Sequence, residues 1–189
     1  MAATDTERQG AIRKGLAYLY KTQQAEGFWS YPGYEHDATG AALFAFLIQQ
    51  NKWDSEATLY HQAVDRAISY LLKDAQVTDL STRDDGTIIC PGGDASCKGI
   101  AWYDTSADSI YTTGFVAPAM ASYGLKAGPN ATATSTGPLA GLTWSQIAQG
   151  ITNAYAASQR SNRNGKLDGT WRFSVVPGGS KFVVFQKAA

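Results

Sequence analysis

An internal repeat limits the folds available to this chain more than any other feature of its sequence. Residues 11–24 align without a gap on residues 63–76. In both copies the apolar residues recur at the spacing of one helical face, which predicts two amphipathic helices. A weaker third copy runs from Thr143 to Gln159. The aligned apolar residues are Ile12, Leu16 and Leu19 in the first copy and Val64, Ile68 and Leu71 in the second.

Two segments between the copies are apolar on nearly every face, which is typical of buried helices. Residues 37–48 and 111–121 are rich in small side chains, and each carries a Thr-Gly pair in its first turn. Asp37 is placed to cap the first segment, and Pro118 is expected to kink the second. The sequence therefore predicts an alternation of amphipathic outer helices and buried inner helices.

Length and charge restrict the function as well as the fold. A chain of 189 residues is about one domain. Because 16 Lys and Arg balance 16 Asp and Glu, the chain has no net field that would attract nucleic acid. The longest apolar run, near residues 41–48, is well short of the roughly 20 residues of a membrane span, and the N-terminus lacks a signal-peptide pattern. We therefore expect neither a nucleic-acid partner nor a membrane span.

A compound motif ends the first repeat helix. It consists of Lys14-Gly15, Tyr18-Leu19, Gln23 and Gly27-Phe28-Trp29. This pattern resembles the QW motif of terpenoid cyclases, and residues 7–173 resemble the wider superfamily of bacterial prenyltransferase and squalene-oxidase repeat proteins. The resemblance implies an α/α toroid.

In physical terms, the Gln amide can bond a neighbouring helix end, the Gly permits a tight turn and the Trp ring packs over the Gln. We expect this structural role; direct ligand binding by the motif is the alternative.

The expected fold is all-α, an incomplete α/α toroid of about five helices with long loops. Its repeats cover about 7–50, 59–125 and 143–173 of a domain at 1–173. Residues 174–189 depart from the family pattern, because two β-leaning apolar runs flank a Pro-Gly-Gly turn where an inner helix is expected. A second copy of the chain is a candidate for completing the open ring as a homo-oligomer.

The catalytic motifs of the resembling families are absent from the sequence. The cyclase acid motif D-x-D-D has its nearest counterpart in Thr82-Arg83-Asp84-Asp85, which lacks the first aspartate. The prenyltransferase zinc site needs an Asp two residues before a Cys and a later His, whereas His36 and His61 precede both cysteines. We therefore expect no metal and no cofactor, and we favour a binding or scaffold module. An enzyme acting on an isoprenoid or on a polysaccharide is the alternative.

Aromatic and acidic residues gather near the expected starts of both inner helices, at one mouth of the implied toroid. Aromatic rings with interspersed carboxylates suit an isoprenoid or a glycan ligand. His36 is the candidate catalytic proton carrier, with Asp37 or Glu35 adjusting its charge. The alternative is that the aromatic residues pack, Asp37 caps its helix and His36 lies at the surface. The candidate ligand-binding residues are Trp29, Tyr31, Tyr34, Trp102, Tyr103, Asp104 and Tyr111.

The two cysteines bound a turn-rich stretch. Cys90 and Cys97 enclose the sequence CPGGDASC, whose Pro and Gly residues allow the chain to turn back on itself. We predict a local disulfide, with two free thiols or a share in a metal site as alternatives. A disulfide would place the protein in an extracellular or periplasmic compartment. The surrounding residues 77–109 are expected to form a long, ordered loop.

Overall fold

The structure is a computed structural model that describes residues 2–53, 56–80, 90, 97–103 and 109–158. Within these ranges the chain is mostly helical and forms five α-helices, one 3₁₀-helix and two β-strands. The elements are α1 (Asp5–Thr22), α2 (Glu35–Ile48), the 3₁₀-helix (Gln50–Lys52), α3 (Ala57–Asp74), β1 (Gln76–Leu80), β2 (Cys97–Ala101), α4 (Ser109–Ala127) and α5 (Trp144–Ser158).

The repeat copies lie in α1, α3 and α5, and we call these the flanking helices. Their predicted apolar stripes are buried to different degrees. In α3 the stripe residues Val64, Ile68 and Leu71 are all buried. In α1 only Leu16 is buried, whereas Ile12 and Leu19 are partly buried against the core; the helix contacts α2 and α3. The helical prediction is therefore confirmed for each copy, and α1 forms one edge of the described structure.

A capping box begins α1. The Thr4 hydroxyl accepts the backbone N–H of Glu7 at 3.3 Å, and the Glu7 carboxylate accepts the backbone N–H of Thr4 at 2.8 Å. The Thr4 hydroxyl also donates to this carboxylate at 2.8 Å. The Thr4 backbone N–H, and then its hydroxyl, hold the pKa of Glu7 below its ordinary value, because both donate to the charged form.

The helices α2 and α4 pack side by side, and we call them the central helices. A Cβ atom at Gly40 would lie 2.7 Å from the carbonyl oxygen of Phe115, so this close approach requires glycine. Nearer the helix ends, Lys126 Nζ donates to the carbonyl oxygen of Leu47 at 3.2 Å. Because these contacts advance in the same direction along both helices, the central helices are parallel and begin at the same end of the molecule.

The flanking helices end where the central helices begin. Tyr155, near the end of α5, donates its hydroxyl to the carbonyl oxygen of Ile110 at the start of α4 at 3.3 Å. Trp29 precedes α2 and hydrogen-bonds to Leu19 near the end of α1. Successive helices therefore alternate in direction, as expected for short connections between packed helices.

The expectation that both central helices are buried is wrong for α4. This helix keeps an exposed apolar face, on which Phe115 is 40% and Leu125 is 74% exposed. Pro118 also lies on the exposed side, and the helix continues through it from Ser109 to Ala127. The apolar composition of α4 thus does not imply burial: in the described part of the chain, part of its apolar surface is left uncovered.

The expectation of an all-α chain with a long loop at 77–109 also needs correction. The two ends of this segment pair as antiparallel strands, with Gln76 opposite Ala101 and Leu80 opposite Cys97. Val77 and Thr78 are β-branched, which favours the strand conformation. Cys90 and Cys97 form the predicted disulfide, with Cα atoms 5.5 Å apart. The disulfide therefore closes a loop directly onto β2.

Several predictions fall outside the described residues. These are the end of the third repeat at 159–173, the tail at 174–189, the turn at Asp84 and Asp85, and Asp104. Among the helices that the structure describes, none is both long enough and apolar enough to cross a membrane.

Candidate functional site

Trp29 ties the end of α1 to the start of α2. Its indole Nε1 donates to the carbonyl oxygen of Leu19 at 2.8 Å, and its backbone N–H donates to the Thr39 hydroxyl at 3.1 Å. That hydroxyl donates in turn to the carbonyl oxygen of Glu35 at 2.6 Å. The Trp29 ring is only 6% exposed and packs against Phe46 with centroids 6.0 Å apart. Trp29 therefore lies in the core and packs on Phe46; the expected packing of its ring over Gln23 stays a prediction.

Trp102 repeats this arrangement between α3 and α4. Its indole Nε1 donates to the carbonyl oxygen of Leu71 at 2.7 Å, and its backbone N–H donates to the Thr113 hydroxyl at 2.9 Å. Leu71 is the repeat partner of Leu19, and Thr113 belongs to the second Thr-Gly pair. The Trp102 side chain is fully buried. We call the arrangements at Trp29 and Trp102 the tryptophan braces.

Gln23 links two flanking helices. Its Nε2 donates to the carbonyl oxygen of Ala63 in α3 at 2.8 Å and to that of Gly27 at 2.9 Å. Its Oε1 accepts from the Arg66 guanidinium at 2.6 Å. Gly27 has a φ of 103°, and a Cβ atom there would lie 2.3 Å from the carbonyl oxygen of Arg66. The stretch QQAEGFW therefore fixes the first repeat copy against the second. The Gln23 amide bonds a carbonyl within α3 and not at a helix end as expected, whereas the positive φ of Gly27 agrees with the predicted tight turn.

His36, the candidate proton carrier, lies between α2 and α3. Its ring stacks on Tyr70 with centroids 5.3 Å apart, and its Nε2 lies 3.8 Å from a carboxylate oxygen of Asp74. The His36 side chain is 12% exposed, so it is not in bulk solvent. The expectation that Asp37 caps α2 is wrong, because the helix begins two residues earlier, at Glu35, and Asp37 lies buried inside its first turn. The structure thus gives His36 a carboxylate neighbour on α3, which the sequence did not indicate. Proton transfer by this cluster stays a prediction.

Exposed aromatic side chains form two pairs at the starts of the central helices. Tyr31 and Tyr34 precede α2 with ring centroids 5.8 Å apart, and Tyr111 and Phe115 lie in the first turns of α4 with centroids 5.2 Å apart. Each of the four is at least 40% exposed. We call these four residues the aromatic rim. Phe115 was missed by the sequence analysis, although its spacing of four residues from Tyr111 places both on one helical face.

The predicted ligand-binding residues are therefore divided between two environments. Trp29 and Trp102 are buried in the braces, whereas the three predicted tyrosines of the aromatic rim are exposed. Tyr103 is partly buried just after β2, and Asp104 lies outside the described residues. The starts of the two central helices do share one end of the molecule, as predicted, but only the exposed residues there are accessible to a ligand.

An apolar groove between α4 and α5 was not predicted. Its volume is about 590 Å³, and its walls include Pro118 and Leu125 from the exposed face of α4 but not Phe115. At one end of the groove lies Tyr155, whose pKa is raised because burial disfavours the charged phenolate. The signal for this groove in the sequence is the all-round apolar character of α4, which implies either burial or a surface that another segment covers.

Metal binding has no candidate site in the described part of the chain. Among these residues, no three His, Cys, Asp or Glu side chains are grouped so that they could hold a metal ion. No protein-family model, curated protein or solved structure matches the chain. The functional argument therefore starts from the geometry of the aromatic rim and of the groove.

Proposed function

We propose that this chain is a helical-repeat binding module that holds a neutral glycan on its aromatic rim. The observation that carries the proposal is the pairing of exposed aromatic rings at the starts of two adjacent, parallel helices. Aromatic rings left on a surface in such clusters usually mark a binding site. The ring faces can stack on the apolar face of a sugar, and the tyrosine hydroxyls can donate and accept hydrogen bonds.

The charges at the rim favour a neutral ligand. Glu35 and Asp37 occupy the first turn of α2, where they complement the positive end of the helix dipole. An anionic group brought to this end would be repelled by the partly exposed Glu35 and by the buried Asp37 beneath it. The oxygen atoms of a neutral sugar carry no such charge, and they can accept hydrogen bonds from backbone N–H groups at a helix start.

We also propose that the helices belong to an α/α toroid related to terpenoid cyclases and prenyltransferase-like repeat proteins. The alternating helix directions, the parallel central pair and the two equivalent tryptophan braces support this assignment. The Cys90–Cys97 disulfide supports an extracellular or periplasmic location. A polysaccharide ligand is consistent with such a location.

Affinity electrophoresis in gels containing neutral polysaccharides tests the glycan proposal. Tyr31→Ala and Phe115→Ala should each weaken retardation by about fivefold, which corresponds to ~1 kcal/mol for one lost aromatic contact. Tyr18→Ala is the matched control, since Tyr18 is 66% exposed on α1 and lies outside the rim. The proposal fails if no polysaccharide retards the protein, or if the control variant loses as much affinity as the rim variants.

The same reagents separate the alternative functions. Binding of farnesol or squalene without any glycan binding would favour the isoprenoid alternative. Cleavage of a retained polysaccharide would show an enzyme, and His36→Ala is then expected to slow the reaction by about 10²-fold or more, the effect of losing one acid–base group. Full activity of that variant would exclude His36 as the proton carrier.

A further inference from the structure

The groove between α4 and α5 is an apolar surface that the described residues leave open. Its walls include Gly114, Pro118, Ala121 and Leu125 from α4 and Ala148 and Ile151 from α5. Pro118, Ala121, Leu125 and Ala148 are exposed. An apolar groove of about 590 Å³ on a small chain is usually covered by another segment or by a ligand.

The internal repeat indicates what this groove corresponds to. Thr39 and Thr113 make the same hydrogen bond to a brace tryptophan, so they are equivalent positions of α2 and α4. This alignment places Gly40 on Gly114. Gly40 is covered by the backbone of α4, whereas Gly114 lines the groove. The groove is therefore the copy, on α4, of the surface of α2 on which α4 itself packs.

On α2, the surface that corresponds to the groove is covered by α4, which is the helix that follows the next flanking helix, α3, along the chain. After α3, the chain passes through the brace at Trp102 and continues as α4, which packs on α2. The corresponding flanking helix beside the groove is α5. The chain continues beyond it for residues 159–189, and Gly169-Thr170-Trp171 in that stretch has the same pattern as Gly27-Phe28-Trp29.

We propose that residues 159–189 of the same chain cover the groove, and that Trp171 forms a third tryptophan brace by donating its indole N–H to the carbonyl oxygen of Ala154. Ala154 is the α5 residue that aligns with Leu19 and Leu71 when Ile147 and Ile151 are matched to the other apolar stripes.

The chain length between Ala154 and Trp171 fits this assignment. Trp171 lies 17 positions after Ala154, compared with 10 positions from Leu19 to Trp29 and 31 positions from Leu71 to Trp102. A segment attached directly to α5 is present at a high effective concentration, of the order of millimolar, so it outcompetes a second copy at ordinary protein concentrations. The inference concerns a different surface from the aromatic rim and does not depend on glycan binding.

Photo-cross-linking in the full chain tests the proposal. Benzoylphenylalanine is introduced at Ala121 on one wall of the groove, at Ala148 on the other, or at Tyr18 on the far side as a control. A mixture of ¹⁴N- and ¹⁵N-labelled chains is irradiated and the cross-linked peptides are analysed by mass spectrometry. Both groove positions should cross-link to residues 159–189 within one chain, and the control should not.

Other products would overturn the proposal. Peptides of mixed isotope composition would show that a second copy occupies the groove, and an absence of cross-links to residues 159–189 would show that this segment lies elsewhere. Trp171→Ala should lower the yield of the intramolecular cross-link, whereas Arg172→Ala, its sequence neighbour, should leave the yield unchanged. Equal yields for these two variants would refute the brace at Trp171.

Discussion

Two substitutions of Trp29 distinguish the contribution of ring packing to the stability of a tryptophan brace from the contribution of its hydrogen bond. Trp29→Ala removes an almost fully buried ring and leaves a cavity, so it should lower the free energy of unfolding by about 3–5 kcal/mol. Trp29→Phe keeps part of the apolar contact and removes the Nε1 donor. Because the Leu19 carbonyl oxygen also accepts the backbone N–H of Gln23 at 3.1 Å, it is not left unsatisfied, and the loss should be only about 1–2 kcal/mol.

Urea unfolding followed by far-ultraviolet circular dichroism measures these losses. For a chain of this length, thermal melting of Trp29→Ala should occur about 6–20 °C below that of the unmodified protein. Tyr18→Ala controls for loss of an exposed aromatic residue and should change the free energy of unfolding by less than about 0.5 kcal/mol. An unchanged free energy for Trp29→Ala would refute the structural interpretation of the motif. Equal losses for the Ala and Phe variants would show that the hydrogen bond outweighs the packing.

Three further predictions test local geometry. Gly27→Ala should lower the free energy of unfolding in urea by about 1–3 kcal/mol, because the positive φ strains other residues and the new Cβ atom would meet a carbonyl oxygen; an unchanged value would contradict the close approach. Replacing both Cys90 and Cys97 by Ser should lower the free energy of unfolding by about 2–3 kcal/mol through loop entropy. Mass spectrometry of unreduced wild-type protein should find neither thiol alkylated. Two alkylated thiols would exclude the disulfide. Thr4→Ala should raise the pKa of Glu7 part of the way to its ordinary value, since the carboxylate loses the hydroxyl donor; a carboxyl-carbon NMR titration that shows no change would argue against the capping box.

The helices and the turn at Gly27 could be predicted because their signals are local, whereas the hydrogen bonds of Trp29 to Leu19 and Thr39 were not predicted. Each repeat copy carries its own apolar stripe, and the period of that stripe specifies a helix without knowledge of its neighbours. The Gly role in QQAEGFW follows from what a glycine can do at a helix end. The starts of the central helices were placed at one end because the two segments share their Thr-Gly pair. Each of these inferences needs only one stretch of chain and its copy.

The remaining features depend on contacts between distant residues. The strand Gln76–Leu80 continues directly from a repeat helix, and its partner Cys97–Ala101 lies beyond the disulfide loop, so the pairing has no local signature. Composition identified α4 as apolar but could not show which of its faces a neighbour covers. The contacts of His36 with Tyr70 and Asp74 come from another helix and follow no period in the sequence.

The two tryptophan braces also show that the position of the helices does not depend on the length of the chain that connects them. The bonded leucine and tryptophan are 10 positions apart in the first brace and 31 positions apart in the second, yet both return an indole to an equivalent leucine carbonyl. The longer connection accommodates a sheet and a disulfide within the same framework. The point at which the chain rejoins the helices is therefore set by the tryptophan and its leucine partner. Foreign sequence grafted between a flanking helix and its brace should leave the helices in place, which makes these connections natural insertion points for display of new loops.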